Sequence, residues 1–330
     1  MGEEEEDLMG VVKRRYPAQH QETQPGKEYQ MNPLPISVNP NYTPSNKLLG
    51  KVALVTGGDS GIGRAVCYYF SLEGATVAFT YVKGEEDQDA EDALRLIKDA
   101  KAAPDAGEPI AVPADLRSEA ACKAVVDVVV GRFKRIDILV NNAAVQYYAE
   151  SIEEITEERL RRTFETNIFP YFFMSRYSLR HMEKGSCIIN TSSVLAYQGK
   201  ATLVDYSSTK GAIVTFTRSL ALQLMKRGIR VNGVAPGPIW TPLQVVSLPV
   251  EKVGAFNEEA PMERAGEPFE VAPSYVFLAS NDCSSYITGQ FLHPNGMLYT
   301  PNIYSANSLP IYTRLVIFLR LKFFYFLNKT

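Results

Sequence analysis

Through the middle of the chain, short apolar runs rich in β-branched residues alternate with longer stretches of helical spacing. The runs are Lys51–Gly57, Thr76–Val82, Pro109–Asp115, Ile136–Asn141, Ser186–Ser192, Arg230–Ala235 and Gln290–His293. Their apolar character is nearly continuous rather than alternating, which predicts strands covered on both faces. The helical stretches between them are Gly63–Glu73, Glu85–Ala100, Glu119–Phe133, Glu157–Met182, Tyr206–Arg227 and Glu267–Ala279. Regular alternation of this kind predicts an α/β fold built on a doubly wound parallel sheet of seven strands. No internal repeat appears, and no linker divides residues 50–298. The chain therefore reads as an extended arm (1–48), a single domain (49–298) and an atypical basic aromatic tail (299–330).

The arm has no helical or strand period. Pro17, Pro25, Pro33, Pro35, Pro40 and Pro44 punctuate it, so it is expected to lie extended, pinned to the surface at most. Its first residues, MGEEEED, lack the apolar run of a secretory signal, and four consecutive glutamates argue against a transit peptide. Gly2 invites acylation, but Glu6 stands where that pattern wants Ser or Thr. At the other end no acidic residue follows Asp282. Arg314, Arg320 and Lys322 interrupt the apolar tail, so a spanning helix is not expected. An interfacial basic helix is one reading of it; a tail altered by splicing or gene modelling is the favoured one.

Composition narrows the class. The 330 residues carry 34 Lys+Arg against 37 Asp+Glu, a net charge of −3, with 45% hydrophobic residues. This is an ordinary globular balance, with no basic block to hold nucleic acid. Cys67, Cys122, Cys187 and Cys283 lie far apart and only three histidines exist, which predicts no metal site, no disulfide framework and a cytoplasmic setting.

The first strand runs into TGGDSGIGRA, residues 56–65. Gly57, Gly61 and Gly63 have the spacing of a turn that lets backbone approach a pyrophosphate at a helix N-terminus. Gly57, Asp59, Ser60, Gly61, Ile62 and Gly63 are accordingly the candidate phosphate cradle of a Rossmann-like site. A turn that merely closes a βα unit is the alternative, and its place after the first strand favours the dinucleotide. The end of the second strand reads Thr80-Tyr81-Val82-Lys83. No carboxylate stands at Tyr81 to grip a ribose 2′-hydroxyl, and Lys83 is available to a 2′-phosphate. That favours NADP over NAD, while Glu85 and Glu86 keep NAD open.

Tyr206 and Lys210 lie four apart at the start of a helical segment and share a face. Ser193 stands just past a predicted strand end, on the side of the sheet where ligands bind. A phenol is a poor base near neutrality, and a neighbouring ammonium favours its ionised form. A serine hydroxyl can hold a substrate oxygen as its charge changes. A surface Tyr–Lys pair with a capping serine is the competing reading, and the glycine turn weighs against it.

With these motifs in order, the sequence resembles the short-chain dehydrogenase/reductase family over about residues 50–298. The resemblance implies a catalytic set of Asn167, Ser193, Tyr206 and Lys210, in which Asn167 positions a water. It implies that Asp115 and the adjoining Leu116 meet the adenine. Asn142, Ala143 and Ala144 follow Asn141 in the family's NNAG turn, with Ala144 in the place of glycine. Pro236, Gly237, Ile239 and Thr241 match the turn that carries nicotinamide and phosphate contacts, and Tyr206 and Lys210 also touch the cofactor. The TGGDSGIGRA turn, the QETQPGKEYQMNP arm and ITGQFLHPNG resemble the glucose/ribitol-dehydrogenase-like subgroup.

The expected activity is interconversion of an alcohol and a carbonyl on a small molecule, a sugar or polyol among the candidates. A catalytically impaired nucleotide-binding regulator and a membrane-surface protein are the competitors. The family implies a homo-oligomer that the altered tail would disturb. Val125–Val130 is expected in the core, Phe169, Tyr171, Phe172 and Phe173 at a helix–helix surface, and Cys187 inert in a strand.

Overall fold

The computed structural model describes residues 16–101, 106–254 and 260–296. The acylation pattern at Gly2 and the basic tail lie outside these residues. Seven parallel strands form the sheet: β1 (Val52–Val55), β2 (Thr76–Tyr81), β3 (Ile110–Pro113), β4 (Ile138–Asn141), β5 (Cys187–Thr191), β6 (Arg230–Val234) and β7 (Phe291–Leu292). Their order is β3-β2-β1-β4-β5-β6-β7. Each lies within its sequence-predicted run and is shorter than it.

Two apolar layers cover the sheet, one on each face. Ala53, Val55, Val77, Phe79, Val140 and Ile189 point one way, into α1 (Gly61–Leu72), α2 (Asp87–Asp99) and, near the carboxyl end of the domain, the helix Pro268–Ala279. Their neighbours Val52, Leu54, Ala78, Leu139 and Ile188 point the other way, onto α3 (Glu119–Phe133) and later helices. Alternation along each strand with apolar residues on both sides is the signature of a fully covered sheet. In α3, Val125, Val126 and Val129 are buried as expected, whereas Val128 is exposed on the outer face of the turn.

The predicted helix Glu157–Met182 is two helices, α4 (Glu157–Asn167) and α5 (Phe169–Ser178). Ile168 leaves the helical region at φ −131°, and Pro170 enters the first turn of α5. Proline has no N–H to continue the ladder, so the break falls where the sequence places it. Beyond β5 come α6 (Leu195–Gln198) and α7 (Val204–Leu224); beyond β6, α8 (Pro242–Ser247), α9 (Val250–Gly254) and α10 (Pro268–Ala279). Of the aromatic cluster, Tyr171 is buried, while Phe169 and Phe172 stay half exposed although Phe172 packs on Phe216.

The arm is more than a surface strand. Tyr16 stacks on Trp240 at 4.1 Å between ring centroids and donates its hydroxyl to Glu267 at 2.8 Å. Tyr16, Met31 and Trp240 form a small buried cluster with Val245 and Leu248. Trp240 Nε1 donates to the Pro33 carbonyl, and the Ile36 N–H to Glu267. Further along, Glu28 is buried against the glycine turn: Gly61 N–H donates to its Oε2 at 2.6 Å and Arg64 to its Oε1 at 2.7 Å. Arg64 also reaches Asp89 of α2 at 3.0 Å, and Asp89 accepts the N–H groups of Glu28 and Tyr29. Proline-rich chain can pack this closely because it makes few backbone hydrogen bonds of its own and leaves its polar groups to side chains of the domain.

Arg64 is therefore the shared cation of two buried carboxyl groups. Arg64→Ala removes it from both, and breaking such a pair from one side costs about 3 kcal/mol or more. Urea denaturation of the variant should show that loss; a change below about 1 kcal/mol would mean that the arm is not held through this network.

Candidate active site

The sheet order reverses at β1 and β4, and the crevice outside their carboxyl ends is the ligand position of such folds. A cavity of about 780 Å³ opens there. β1 passes into the turn through Thr56, whose Oγ1 accepts the N–H groups of Asn142 and Ala143 at 2.8 and 3.1 Å. Asn142 returns two side-chain bonds, to the carbonyls of Thr56 and Gly57. These exchanges lock the two loops at the crevice floor.

Gly57 has φ +63°, and an added Cβ would press on Ala143 at 3.1 Å. At Gly63 an added Cβ would stand 1.9 Å from the Gly57 carbonyl oxygen. Helix α1 therefore approaches the turn as closely as it does only because no side chain intervenes. Gly57, Asp59, Ser60, Gly61 and Ile62 line the cavity; Gly63 stands behind them as a packing residue. Glu28 takes the Gly61 N–H, and the rest of the first turn of α1, with the space before it, fits a pyrophosphate.

At one end of the cavity, Tyr81, Asp115, Leu116, Ala143 and Ala144 line the wall. Asp115 is held by the Arg117 guanidinium, which lowers its carboxyl below the ordinary range. Lys83 is exposed and does not line the cavity. Instead Glu86 is buried at that wall and accepts the Val82 N–H at 2.7 Å. Burial, with the nearby Asp59 charge, raises the Glu86 carboxyl well above the ordinary range, and burial raises Asp59 as well.

At the other end stand Ser193, Tyr206 and Lys210, all on the wall and all buried. Helix α7 carries Tyr206 in its first turn and Lys210 one turn on. Asp205 steadies that turn by accepting the Tyr206 N–H at 2.9 Å while Arg159 of α4 grips its carboxylate. Lys210 Nζ donates to the Thr191 carbonyl at 3.1 Å and lies 5.3 Å from the Tyr206 ring centroid. Burial pushes the Tyr206 phenol well up, and its hydrogen bond with Ser193 works against that rise. Burial pulls the Lys210 ammonium down to about 7. Pro236, Gly237, Ile239 and Thr241 complete the wall along the loop from β6 to α8.

Asn167 is not on the wall. Its side chain is buried, accepting the Val145 N–H and donating to the Val145 carbonyl, each at 2.8 Å, and donating to Thr209 at 3.2 Å. It braces the loop after β4 against α7. Sequence reasoning also missed Gln24, Pro25 and Gly26 of the arm, and Gln146, which all reach the cavity. The Gln24 amide pairs with both backbone groups of Gln146, and Gln146 Nε2 donates to Ser247 of α8 at 3.0 Å. Residues 24–26 fall within the arm stretch that resembles the glucose/ribitol-dehydrogenase-like subgroup, the one available signal.

A family model described as enoyl-(acyl carrier protein) reductase matches residues 57–296. The chain belongs to the short-chain dehydrogenase/reductase family. It is 62% identical over 282 residues to the glucose and ribitol dehydrogenase of Daucus carota, covering 86% of this chain and 96% of that protein. It is 63% identical over 278 residues to the chloroplastic NADPH-dependent aldehyde reductase 1 of Arabidopsis thaliana, covering 84% and 96%. A short-chain dehydrogenase from Burkholderia cenocepacia, solved in complex with NADP, superposes with a TM-score of 0.69 at 30% identity over 76% of this chain and 98% of that one. As a member of this family, the protein is an NAD(P)-dependent oxidoreductase that interconverts alcohols and carbonyls, and the reading as an impaired regulator is not favoured.

The Lys210 shift carries a stability consequence with a definite sign. The unfolded chain holds that proton up to about 10.5 and the folded protein releases it near 7. The penalty is thus complete below pH 7 and fades as pH rises toward 10.5, because the unfolded state binds more protons in that window. Lys210→Met should melt above wild type, most clearly below pH 7, with the gap narrowing at alkaline pH. A gap that widens from pH 7 to 10 would contradict the burial account.

Proposed function

We propose that Tyr206 exchanges the proton, with Ser193 holding the substrate oxygen and Lys210 supporting the phenolate, during oxidation or reduction of a small hydroxyl or carbonyl compound. The observation that carries this is the Tyr206–Ser193 hydrogen bond beside a buried lysine, in the same cavity as the glycine turn. A bound nicotinamide supplies or accepts hydride. The chain's own groups do the rest. Gly57, Asp59, Ser60, Gly61 and Ile62 receive the phosphates and Asp115 with Leu116 the adenine. Pro236, Gly237, Ile239 and Thr241 flank the nicotinamide end.

NADP is the preferred cofactor on this reading, with NAD the alternative; the NADPH-dependent relative and the wall without a ribose-gripping carboxylate at Tyr81 support it. The substrate is a sugar, a polyol or a related aldehyde. The reacting end of the cavity mixes amides with aliphatic groups, from Gln146, Gln198 and Gln244 to Val145, Leu203 and Leu243, which suits a short hydroxylated carbon chain.

Asn167 acts on this reading by holding the Val145 loop, from which a proton-relaying water would be placed. A homo-oligomer accounts for the half-exposed Leu160, Phe169 and Phe172 on α4 and α5. The reducing, cytoplasmic setting rests on the scattered cysteines, and among the described residues no helix is long and apolar enough to cross a membrane.

Tyr206→Phe tests the assignment, because the ring fills the same space while the transferable proton is gone. Turnover of an aldehyde with NADPH should fall by about 10²-fold or more. Cofactor affinity, read by fluorescence titration, should stay within about threefold, since the phosphates and adenine are held elsewhere. A variant rate within threefold of wild type would remove Tyr206 from the proton step.

A further inference from the structure

The ribose end of the cleft poses a problem that the strand end does not solve. A 2′-phosphate there needs a cation, yet Lys83 is exposed and off the wall. Arg64, whose Nε donates to the Asp59 carbonyl of the turn, is engaged by Glu28 and Asp89. The wall around the end of β2 is built from Asp59, Ser60, Tyr81, Val82, Glu85 and Glu86, and Pro25 and Gly26 of the arm line the same cavity, Gly26 against Pro242.

The next arm residue is Lys27. Its Nζ lies 3.3 Å from Glu85 Oε2, at the rim of this same wall, with only 24% of its side chain exposed. Its backbone is pinned on both sides. Its N–H donates to Gln21 Oε1 at 2.6 Å and its carbonyl accepts from Gln21 Nε2 at 2.8 Å. The following N–H, of Glu28, donates to Asp89. The side chain is therefore presented from a fixed point, and only its flexible stem has to swing to follow a ligand.

We propose that Lys27, carried to the ribose end of the cleft by the amino-terminal arm, binds the 2′-phosphate of NADP. Glu85 holds the ammonium at the rim until the phosphate offers a more highly charged acceptor. The exchange is one ion pair for another, so it requires no new burial of charge. The neighbouring acids do not forbid a phosphate: burial and the nearby Asp59 charge disfavour the ionised form of Glu86, and Glu85 is already opposed by Lys27. Lysine suits this task, a point charge on a long stem that meets a phosphate from several directions. The proposal rests on the NADP reading above and adds to it that the discriminating cation comes from the arm rather than from the strand end.

Calorimetric titration of the full-length protein with 2′,5′-ADP and with 5′-AMP separates the phosphate from the rest of the nucleotide, without turnover. Wild type should bind 2′,5′-ADP the more tightly. Lys27→Ala should weaken 2′,5′-ADP by about tenfold and leave 5′-AMP within about twofold, the effect of one charge-assisted contact. Lys27→Arg should restore most of the difference, and Lys83→Ala should leave both ligands nearly unchanged. Unaltered 2′,5′-ADP binding in Lys27→Ala, or an equal loss of both ligands, would overturn the role of Lys27 while leaving the NADP reading in place. Wild type that binds the two equally would overturn that reading and this proposal together.

Discussion

A primary amine held almost wholly out of water is the constraint around which the rest of this site is arranged. Lys210 is 1% exposed, and among the described residues its ammonium has one hydrogen-bond partner, the Thr191 carbonyl at the end of β5. An ammonium in such a place is costly, and it persists because strand and helix leave it nowhere else to go. Helix α7 is fixed at its start by Asp205 and Arg159, and Ser192 of the β5 loop donates to the Lys210 carbonyl at 2.8 Å. The same two elements bring Ser193 against Tyr206. Stability is given up at one position so that three side chains meet, the usual relation between a strained site and a well-packed frame.

The parts of this frame that could be read along the chain are those with a local cause. Seven apolar runs became seven strands because a parallel sheet covered on both faces demands continuous apolar sequence. The glycine turn was legible because Gly57 and Gly63 fill roles that a side chain would block. The helix break at Ile168 was legible in principle, from Pro170, and was passed over because the apolar period runs on either side of it. The role of the arm had no such cause. Nothing in the spacing of Tyr16, Gln24 or Glu28 tells that they meet Trp240, Gln146 and Gly61, since those contacts span from 33 to more than 200 residues and depend on the finished surface. The orientation of Asn167 had no local cause either: whether an amide faces a cavity or a backbone is decided by its neighbours, here both polar groups of Val145.

The arm joins halves of the cleft that the sheet alone leaves independent. One end of it stacks Tyr16 on Trp240, beside Thr241 and α8. Its middle ties Gln24 to Gln146, and through Gln146 to Ser247 of α8. Its next residues put Glu28 on the first N–H of α1. The loop after β4, helix α8 and the glycine turn thus share one strap. An extended segment can serve this way because its backbone polar groups are free to be taken by side chains of each element it crosses.

Two opposed shifts at the centre of the site follow from one cause. Removal from water disfavours whichever form is charged, so it raises the Tyr206 phenol and lowers the Lys210 ammonium at once. Proximity of the two therefore does not by itself create a phenolate; burial works against it on both partners. What works for it is the hydrogen bond from Ser193. The resting pair is then a neutral phenol beside an amine balanced near neutrality, with little net charge in the dry part of the cleft. Such a site meets an uncharged hydroxyl or carbonyl without having to expel it electrostatically. The proton it must pass sits on a group whose affinity changes as soon as that ammonium is stabilised.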